Sequence, residues 1–170
     1  MELLVLSDSH GRISRISEAY ERQIKKPDAV VFLGDGIKDV SYCDFRESAL
    51  FCVVGNCDMF TSIGRVSAEN EIVMTLGGKR IMMTHGDAYG VKSTLARLIM
   101  AAVRNRADIV LFGHTHTPLA LYLPEGESEY GIKLEKPLYL FNPGSVGGYD
   151  GSFGTVCIRD DGVILSHGRL

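Results

Sequence analysis

The sequence predicts an α/β fold in which two sheets pack face to face and helices cover their outer faces. Three observations predict it: short apolar runs recur along the chain, helical patterns separate the early runs, and two later runs form a hairpin pattern. The chain has 170 residues, 45% of them hydrophobic, and no stretch has the composition of a domain linker. We therefore expect a single domain over residues 1–170 with a substantial core.

The first part of the chain alternates strand and helix patterns. The apolar run at 3–6 predicts a strand buried on both faces. Residues 12–25 place apolar side chains at helical spacing, and Pro27 ends that pattern. The runs at 29–33 and 50–54 predict two more buried strands. This alternation favours parallel strands joined by helical crossovers.

The later part of the chain begins with a hairpin pattern. Two predicted strands, Glu71 to Leu76 and Lys79 to Thr84, flank Gly77-Gly78, a dipeptide typical of a tight turn. Residues Thr94 to Arg106 have the apolar spacing of a helix, and Ser93 is a candidate cap for it. Further strands are predicted at Ile109 to Phe112, Leu119 to Leu123, Leu138 to Phe141, Phe153 to Arg159 and Val163 to His167.

The charge and the cysteines limit the classes of protein to consider. The formal net charge is −3, so no broad basic surface is available for extended nucleic acid. The first residues lack the pattern of a signal peptide, and no run reaches transmembrane length. We therefore expect a soluble cytoplasmic protein with no membrane partner. The four cysteines, which match no zinc-site spacing and should be free thiols, are Cys43, Cys52, Cys57 and Cys157.

Polar side chains with nitrogen or oxygen donors follow the predicted strands. Their positions are Asp8, His10, Asp35, Asn56, Asp58, His85, His114 and His116. Ligands of α/β sheets bind outside the carboxyl ends of the strands, so these groups should meet at one rim. Carboxylate and imidazole donors suit Mn²⁺, Mg²⁺, Fe²⁺ or Zn²⁺, and there are too many donors for one ion. Any one of these motifs alone would be typical of an ordinary turn or a surface histidine, and their joint occurrence favours a metal centre.

The ordered motifs of this rim resemble those of the calcineurin-like metallo-phosphoesterase superfamily. They read Asp8-Ser9-His10, Gly34-Asp35, Gly55-Asn56-Cys57-Asp58, His85-Gly86 and Gly113-His114-Thr115-His116. The short chain and the later segment at 142–147, Asn-Pro-Gly-Ser-Val-Gly, are similar to the YfcE-like subgroup of small phosphodiesterases. The resemblance implies a four-layer αββα sandwich of two mixed sheets, and it implies that the 142–147 turn packs near the site.

The resemblance also implies a ligand set for two divalent ions. One ion would be held by Asp8, His10, Asp35 and His116. Asp35 would bridge to a second ion, whose other ligands would be Asn56, His85 and His114. We expect two Mn²⁺ ions, with Mg²⁺, Fe²⁺, Zn²⁺ and Ni²⁺ as other candidates. Affinity order alone favours late transition metals, and availability in the cell decides which metal binds.

We expect Asn56, His114 and Asp58 to be the catalytic residues. Asp58 acts either from behind the ligands or as a cap of its loop. Many relatives have a histidine where this chain has Cys57, and a thiol with an ordinary pKa near 8.5 is a poor donor of a proton to a leaving group. Cys57 as a buried small hydrophobic side chain is the alternative interpretation.

The predicted function is hydrolysis of a small phosphodiester by a metal-dependent enzyme. Two alternatives stay open: a non-catalytic metal-binding interaction module, like the retromer subunit that shares this small fold, and a phosphomonoesterase or nuclease using the same site. A homodimer is expected on general frequency alone. The loops Thr61 to Asn70 and Pro124 to Pro137 are expected to wall the substrate pocket.

Overall fold

A computed structural model describes residues 1–45, 47–58 and 66–170 of the chain. The strands, in chain order, are β1 (Glu2–Leu6), β2 (Ala29–Phe32), β3 (Ala49–Cys52), β4 (Glu71–Leu76), β5 (Lys79–Thr84), β6 (Ile109–Phe112), β7 (Leu119–Leu123), β8 (Gly126–Glu127), β9 (Lys133–Leu134), β10 (Leu138–Asn142), β11 (Ser152–Arg159) and β12 (Gly162–Arg169). The helices are α1 (Ile13–Glu21), α2 (Ile37–Val40) and α3 (Ala96–Arg104), and a short 3₁₀ turn covers Asp87–Tyr89.

Two five-stranded mixed sheets carry the fold. The strand order of the first sheet is β12-β11-β1-β2-β3, and that of the second is β4-β5-β6-β10-β7. Strands β1, β2 and β3 run parallel in the first sheet, as do β5, β6 and β10 in the second. Antiparallel partners flank both parallel sets. The loops after the parallel strands of both sheets therefore gather at the carboxyl ends of those strands, where the candidate ligands lie.

Three apolar clusters hold the layers together. The central cluster joins the inner faces of the sheets through residues such as Val5, Met83 and Phe141. A second cluster packs α1 and α2 on the first sheet, and a third packs α3 on the second. Alternate residues of β1 supply both faces, with Leu3 and Val5 inward and Leu4 and Leu6 outward. The predicted αββα sandwich is confirmed.

The ends of the predicted helices differ from the observed ones. The first helix ends at Glu21 rather than at Lys25, and Ile24 is fully exposed instead of packing on the sheet. Lys26 precedes a proline, which disfavours helical backbone there, so the last turn does not form. The third helix begins at Ala96 with Leu95 at its N-cap position, so Ser93 lies before the cap and the predicted cap is wrong.

The segment Pro124 to Pro137, predicted as a surface loop, is partly structured. It contains the short antiparallel pair of β8 and β9, and Leu134 is buried against the α3 cluster. The other loop that was predicted to line the substrate pocket is Thr61 to Asn70. Its residues 61–65 lie outside the described part of the chain. In the described ranges, no helix is long and apolar enough to cross a membrane.

Candidate metal centre

The backbone at the rim adopts a conformation that residues with side chains rarely take. Six non-glycine residues of the described chain have positive φ angles, between 47° and 65°. Five of the six are predicted ligands: Asp8, His10, Asp35, His114 and His116. Such backbone costs on the order of 1–3 kcal/mol per residue and gathers at functional sites. The fold therefore bears this cost where the candidate ligands are.

Asp8 follows β1 and is fully buried, and its two carboxylate oxygens have different surroundings. Its Oδ2 accepts hydrogen bonds from the Ser7 hydroxyl at 2.6 Å and from the His114 backbone N–H at 3.1 Å. Its Oδ1 has no hydrogen-bond partner in the described part of the chain. That oxygen faces Nε2 of His116 at 3.1 Å and Nε2 of His10 at 3.8 Å. A buried carboxylate oxygen without a donor is costly, and a cation at this point would stabilise it.

Imidazole nitrogens converge in the same way. The Nε2 atoms of His10 and His116 are 3.2 Å apart. Nε2 of His85 lies 3.1 Å from Nδ1 of His114 and 3.5 Å from Oδ2 of Asp35. Neutral rings that turn lone pairs towards one another repel, whereas a shared cation accepts both. The donor set therefore fits bound metal.

A backbone carbonyl sets the tautomer of His85. Its Nδ1 lies 2.6 Å from the carbonyl oxygen of Leu33, so this nitrogen carries the proton and donates. The lone pair of Nε2 is then directed at the Asn56 amide oxygen, 3.2 Å away, and at Asp35. An N–H bonded to a carbonyl is the usual support behind a metal-binding histidine.

The structure brings the seven predicted ligands together. The donor atoms of Asp8, His10 and His116 lie within 4.8 Å of one another, and so do those of Asp35, His85 and His114. A third group, His10, Asp35 and Cys57, joins them, so the two sets of donors are contiguous. Asn56 belongs to the second set through its contact with His85. We treat these residues as a candidate binuclear site.

Neighbouring side chains and backbone groups set the protonation states of the second ligand group. Burial opposes ionisation of Asp35, but hydrogen bonds from His85 and from the Cys57 backbone N–H hold the pKa of its carboxyl well below its ordinary value. Burial disfavours a charged His85, yet the Asp35 carboxylate and the Leu33 carbonyl raise its pKa. Burial and the neighbouring His85 lower the pKa of His114. A proton on His85 is thus the direct competitor of a metal ion.

Asp58 is turned towards backbone amides rather than towards the cleft. It is buried, and its carboxylate accepts hydrogen bonds from four N–H groups over 2.8–3.1 Å, those of Asp35, Gly36, Ile37 and Gly55. These contacts tie the Gly55-Asn56-Cys57 turn to the loop after β2. Of the two predicted interpretations, this geometry favours a residue that positions the ligand loops.

We expect Asp58→Asn to destabilise the fold and to loosen metal binding. The amide loses the negative charge and turns an NH₂ group towards the backbone donors, which costs about 1–3 kcal/mol. Urea denaturation and Mn²⁺ titration calorimetry measure the two effects. Asp161→Asn, at an exposed turn, is the matched control. An unchanged denaturation midpoint in Asp58→Asn would contradict the positioning role.

Cys57 is exposed, so the interpretation of a buried small hydrophobic side chain is wrong. Its backbone N–H donates to Oδ1 of Asp35 at 2.8 Å, and its Sγ accepts from the Asn56 amide at 3.4 Å. A side-chain hydrogen bond to Asp35, burial and the nearby carboxylates raise the pKa of the thiol. The surrounding protein groups alone therefore keep the Cys57 thiol protonated near neutral pH.

We expect Cys57→Ser to keep two bound ions per chain. The contact with Asp35 comes from the backbone N–H, which serine retains, and a protonated thiol contributes little to coordination. Metal content after gel filtration, measured by plasma mass spectrometry, checks this. Loss of one ion in Cys57→Ser would show that the sulfur is a ligand.

The 142–147 turn supports the site more closely than its composition indicates. The side-chain amide of Asn142, which is fully buried, donates to the carbonyl of Gly113 at 2.7 Å and to Oγ1 of Thr115 at 3.1 Å. The hydroxyl of Ser145 donates to the backbone carbonyl of Asp8 at 2.7 Å. These bonds position the loops that carry Asp8, His114 and His116. The expected packing of this segment beside the site is confirmed.

Two further supports carry no local signal in the sequence. The Ser7 hydroxyl donates to Asp8, but in the sequence Ser7 looks only like the end of the first strand. Asp39 accepts hydrogen bonds from the Ser9 hydroxyl at 2.6 Å and from the Gly11 N–H at 2.7 Å. Asp39 lies in the short helix α2, which no periodicity predicts.

The chain is similar in sequence and in fold to known proteins. The probable metallophosphoesterase YsnB of Bacillus subtilis strain 168 is 27% identical over 146 residues, which span 86% of this chain and 75% of YsnB. The fold is similar to that of an archaeal phosphodiesterase, with a TM-score of 0.72 and 20% identity over the full length of both chains. It is also similar to Vacuolar Protein Sorting 29 of Cryptosporidium parvum, with a TM-score of 0.68 and 18% identity over 99% of this chain and 97% of that one.

Most of the chain matches the domain of one protein family. Residues 1–161 match the calcineurin-like phosphoesterase superfamily domain, and this range includes every candidate ligand. The chain therefore belongs to the calcineurin-like phosphoesterase superfamily, a family of metal-dependent phosphoesterases.

Proposed function

We propose that this phosphoesterase hydrolyses a small phosphodiester at two divalent metal ions. One observation carries the proposal: two contiguous groups of nitrogen and oxygen donors converge at the rim, and a buried Asp8 oxygen without a hydrogen-bond partner faces into the first group. Two ions about 3.5–4 Å apart are the usual solution for such a donor set, and they suit in-line attack on phosphorus. Mn²⁺ is the proposed metal, because hard and borderline donors dominate.

The ligand assignment follows the two groups. Asp8, His10, Asp35 and His116 would hold one ion, and Asp35, Asn56, His85 and His114 would hold the other. Bound ions supply Lewis-acid activation of water and neutralise charge that develops on the phosphoryl oxygens. The low pKa of Asp35 keeps its carboxylate ionised, and the lowered pKa of His114 keeps its ring neutral. Asn56 is exposed at the edge of the site, where substrate can reach its amide.

The Cys57 position bears on which esters react. Its raised pKa makes the thiol a weak acid, so it is a poor proton donor to an alkoxide leaving group. The proposal therefore includes a preference for esters whose leaving group needs little protonation, such as aryl esters. The predicted homodimer and cytoplasmic location stay predictions.

Metal binding should weaken as the pH falls. The pKa of His85 is raised above its ordinary 6.5, so protonation begins to displace metal above pH 6.5 and increases as the pH drops through that pKa. Once His85 is mainly protonated, the apparent affinity should fall by about tenfold per pH unit for one displaced proton. Calorimetric titration of Mn²⁺ between pH 8 and pH 5.5 checks this, and an affinity independent of pH over that range would contradict it.

The experiment that tests the function compares two substrates with one leaving group. After EDTA treatment and gel filtration, bis(para-nitrophenyl) phosphate and para-nitrophenyl phosphate are assayed with and without Mn²⁺. We expect metal-restored turnover that favours the diester. Turnover that favours the monoester would support the phosphomonoesterase alternative instead.

The second candidate is a non-catalytic interaction module. The similarity in fold to Vacuolar Protein Sorting 29 is the observation that keeps it in view. Every predicted ligand position holds a side chain that can bind metal, which favours the enzyme. The positive φ angles at five of these residues favour it too, because strained backbone gathers at functional sites. A folded protein that binds two ions and hydrolyses neither ester with any metal would favour the module.

A further inference from the structure

A cleft of about 320 Å³ opens beside the candidate metal centre. His116 forms part of its wall, so the cleft is continuous with the first ligand group. The rest of the lining comes from the loop at 145–152 and from Arg169 at the end of β12, which pairs with Ser152 of that loop. A substituent on a phosphate held at the rim would have direct access to this space.

The loop at 145–152 is held in place by backbone contacts with the segment that carries Asp8. Its backbone N–H at Gly147 donates to the carbonyl of Asp8 at 3.1 Å, and a Cβ at Gly147 would lie only 2.1 Å from the carbonyl oxygen of Ser9. The far side of the loop is held by Gly151, whose N–H donates to Gly148 and whose carbonyl accepts from Leu170. The loop is therefore placed by the same backbone that places Asp8.

Tyr149 lies at the tip of this fixed loop with 93% of its surface exposed. Its ring packs in none of the three apolar clusters, so the ring does not contribute to the core. Its backbone carbonyl accepts from the guanidinium of Arg15 at 3.5 Å, and Arg169 also lines the cleft, beside Ser152. An exposed aromatic ring and an arginine in the lining of one cleft are groups that bind planar rings.

We propose that this cleft binds a planar aromatic substituent of the phosphodiester, of the nucleobase type, with Tyr149 as the stacking surface. The inference rests on the proposed function for the phosphate position and adds the class of substrate. The volume is at the low end of the range for ligand pockets, about 300–1,000 Å³, and so suits one ring system rather than a polymer. The acidic net charge of −3 agrees with a short ligand held locally.

A binding experiment tests the cleft without requiring turnover. The affinities of adenosine monophosphate and inorganic phosphate for the Mn²⁺-loaded protein are measured by calorimetry. We expect the nucleotide to bind about tenfold more tightly, because base stacking on an aromatic ring is worth roughly 5- to 150-fold in affinity. Tyr149→Ala should abolish the difference, while Tyr149→Phe should retain it. Tyr42→Ala, which removes another exposed tyrosine, is the matched control and should also retain it.

Hydrolysis then separates this inference from the proposed function. Thymidine para-nitrophenyl phosphate and methyl para-nitrophenyl phosphate share a leaving group and differ in the other substituent. Tyr149→Ala should raise KM for the thymidine ester about tenfold more than for the methyl ester, which has no nucleobase. Equal binding of nucleotide and phosphate by the wild type, or an unchanged difference in Tyr149→Ala, would overturn the cleft assignment. Hydrolysis of neither ester, with the binding difference intact, would overturn the phosphodiesterase proposal alone.

Discussion

Asp35→Asn is expected to abolish hydrolysis and to reduce the bound metal from two ions to at most one. Asp35 is the carboxylate shared by both proposed ion positions, and the hydrogen bonds that lower its pKa keep it ionised. The amide has one coordinating oxygen and no charge, so it cannot serve two cations. We expect kcat/KM for bis(para-nitrophenyl) phosphate to fall by about a thousandfold or more. Steady-state kinetics and metal content by plasma mass spectrometry measure both effects.

The matched control for Asp35→Asn is Asp160→Asn, the same chemical change at an exposed position before β12. It should retain wild-type activity and two ions. Two tightly bound ions in Asp35→Asn would exclude the bridging assignment, whatever the activity of the variant.

Gly55→Ala is expected to disable the site through a single added methyl group. A Cβ at Gly55 would lie 2.2 Å from Oδ1 of Asp35 and 2.5 Å from its backbone nitrogen, closer than real contacts allow. The Asp35 carboxylate must therefore move away from its position between the two ligand groups. A displacement of about 1 Å at a catalytic centre costs on the order of a hundredfold in rate, and overpacking costs about 1–3 kcal/mol of stability.

The control for Gly55→Ala is Gly162→Ala. A Cβ at Gly162 meets nothing within 4 Å, and this glycine does not need a left-handed backbone, so the added methyl group should be neutral. Denaturation midpoint, metal content and kcat/KM are compared for the two variants. Wild-type metal binding and rate in Gly55→Ala would show that the Asp35 carboxylate tolerates displacement and is not a precisely held ligand.

The layers and strands could be predicted because their pattern is strong and local. The hairpin of β4 and β5 has the predicted bounds, since Gly77-Gly78 supplies the backbone that its turn needs. The helix ends were harder to place. Ile24 continues the apolar spacing of α1 but lies beyond its end, because local backbone preference before Pro27 outweighs one apolar side chain.

The candidate ligands could be located for a related reason. Each follows an apolar strand, and the geometry of parallel sheets brings such positions to one rim. The contacts behind the ligands are different, because they join segments that are far apart in sequence. Asn142 reaches the Gly113 loop, and Asp58 reaches the Asp35 loop, through backbone groups that have no side-chain signature. The choice between the two predicted roles of Asp58 therefore requires the positions of its four amide donors.

The electron paramagnetic resonance spectrum of Mn²⁺ added to the metal-free protein shows whether two ions share Asp35. At two equivalents, we expect an exchange-coupled spectrum of ions about 3.5–4 Å apart, and its loss in Asp35→Asn. Saturation at one equivalent, or a spectrum of isolated Mn²⁺ at two equivalents, would contradict a bridged binuclear centre at this rim.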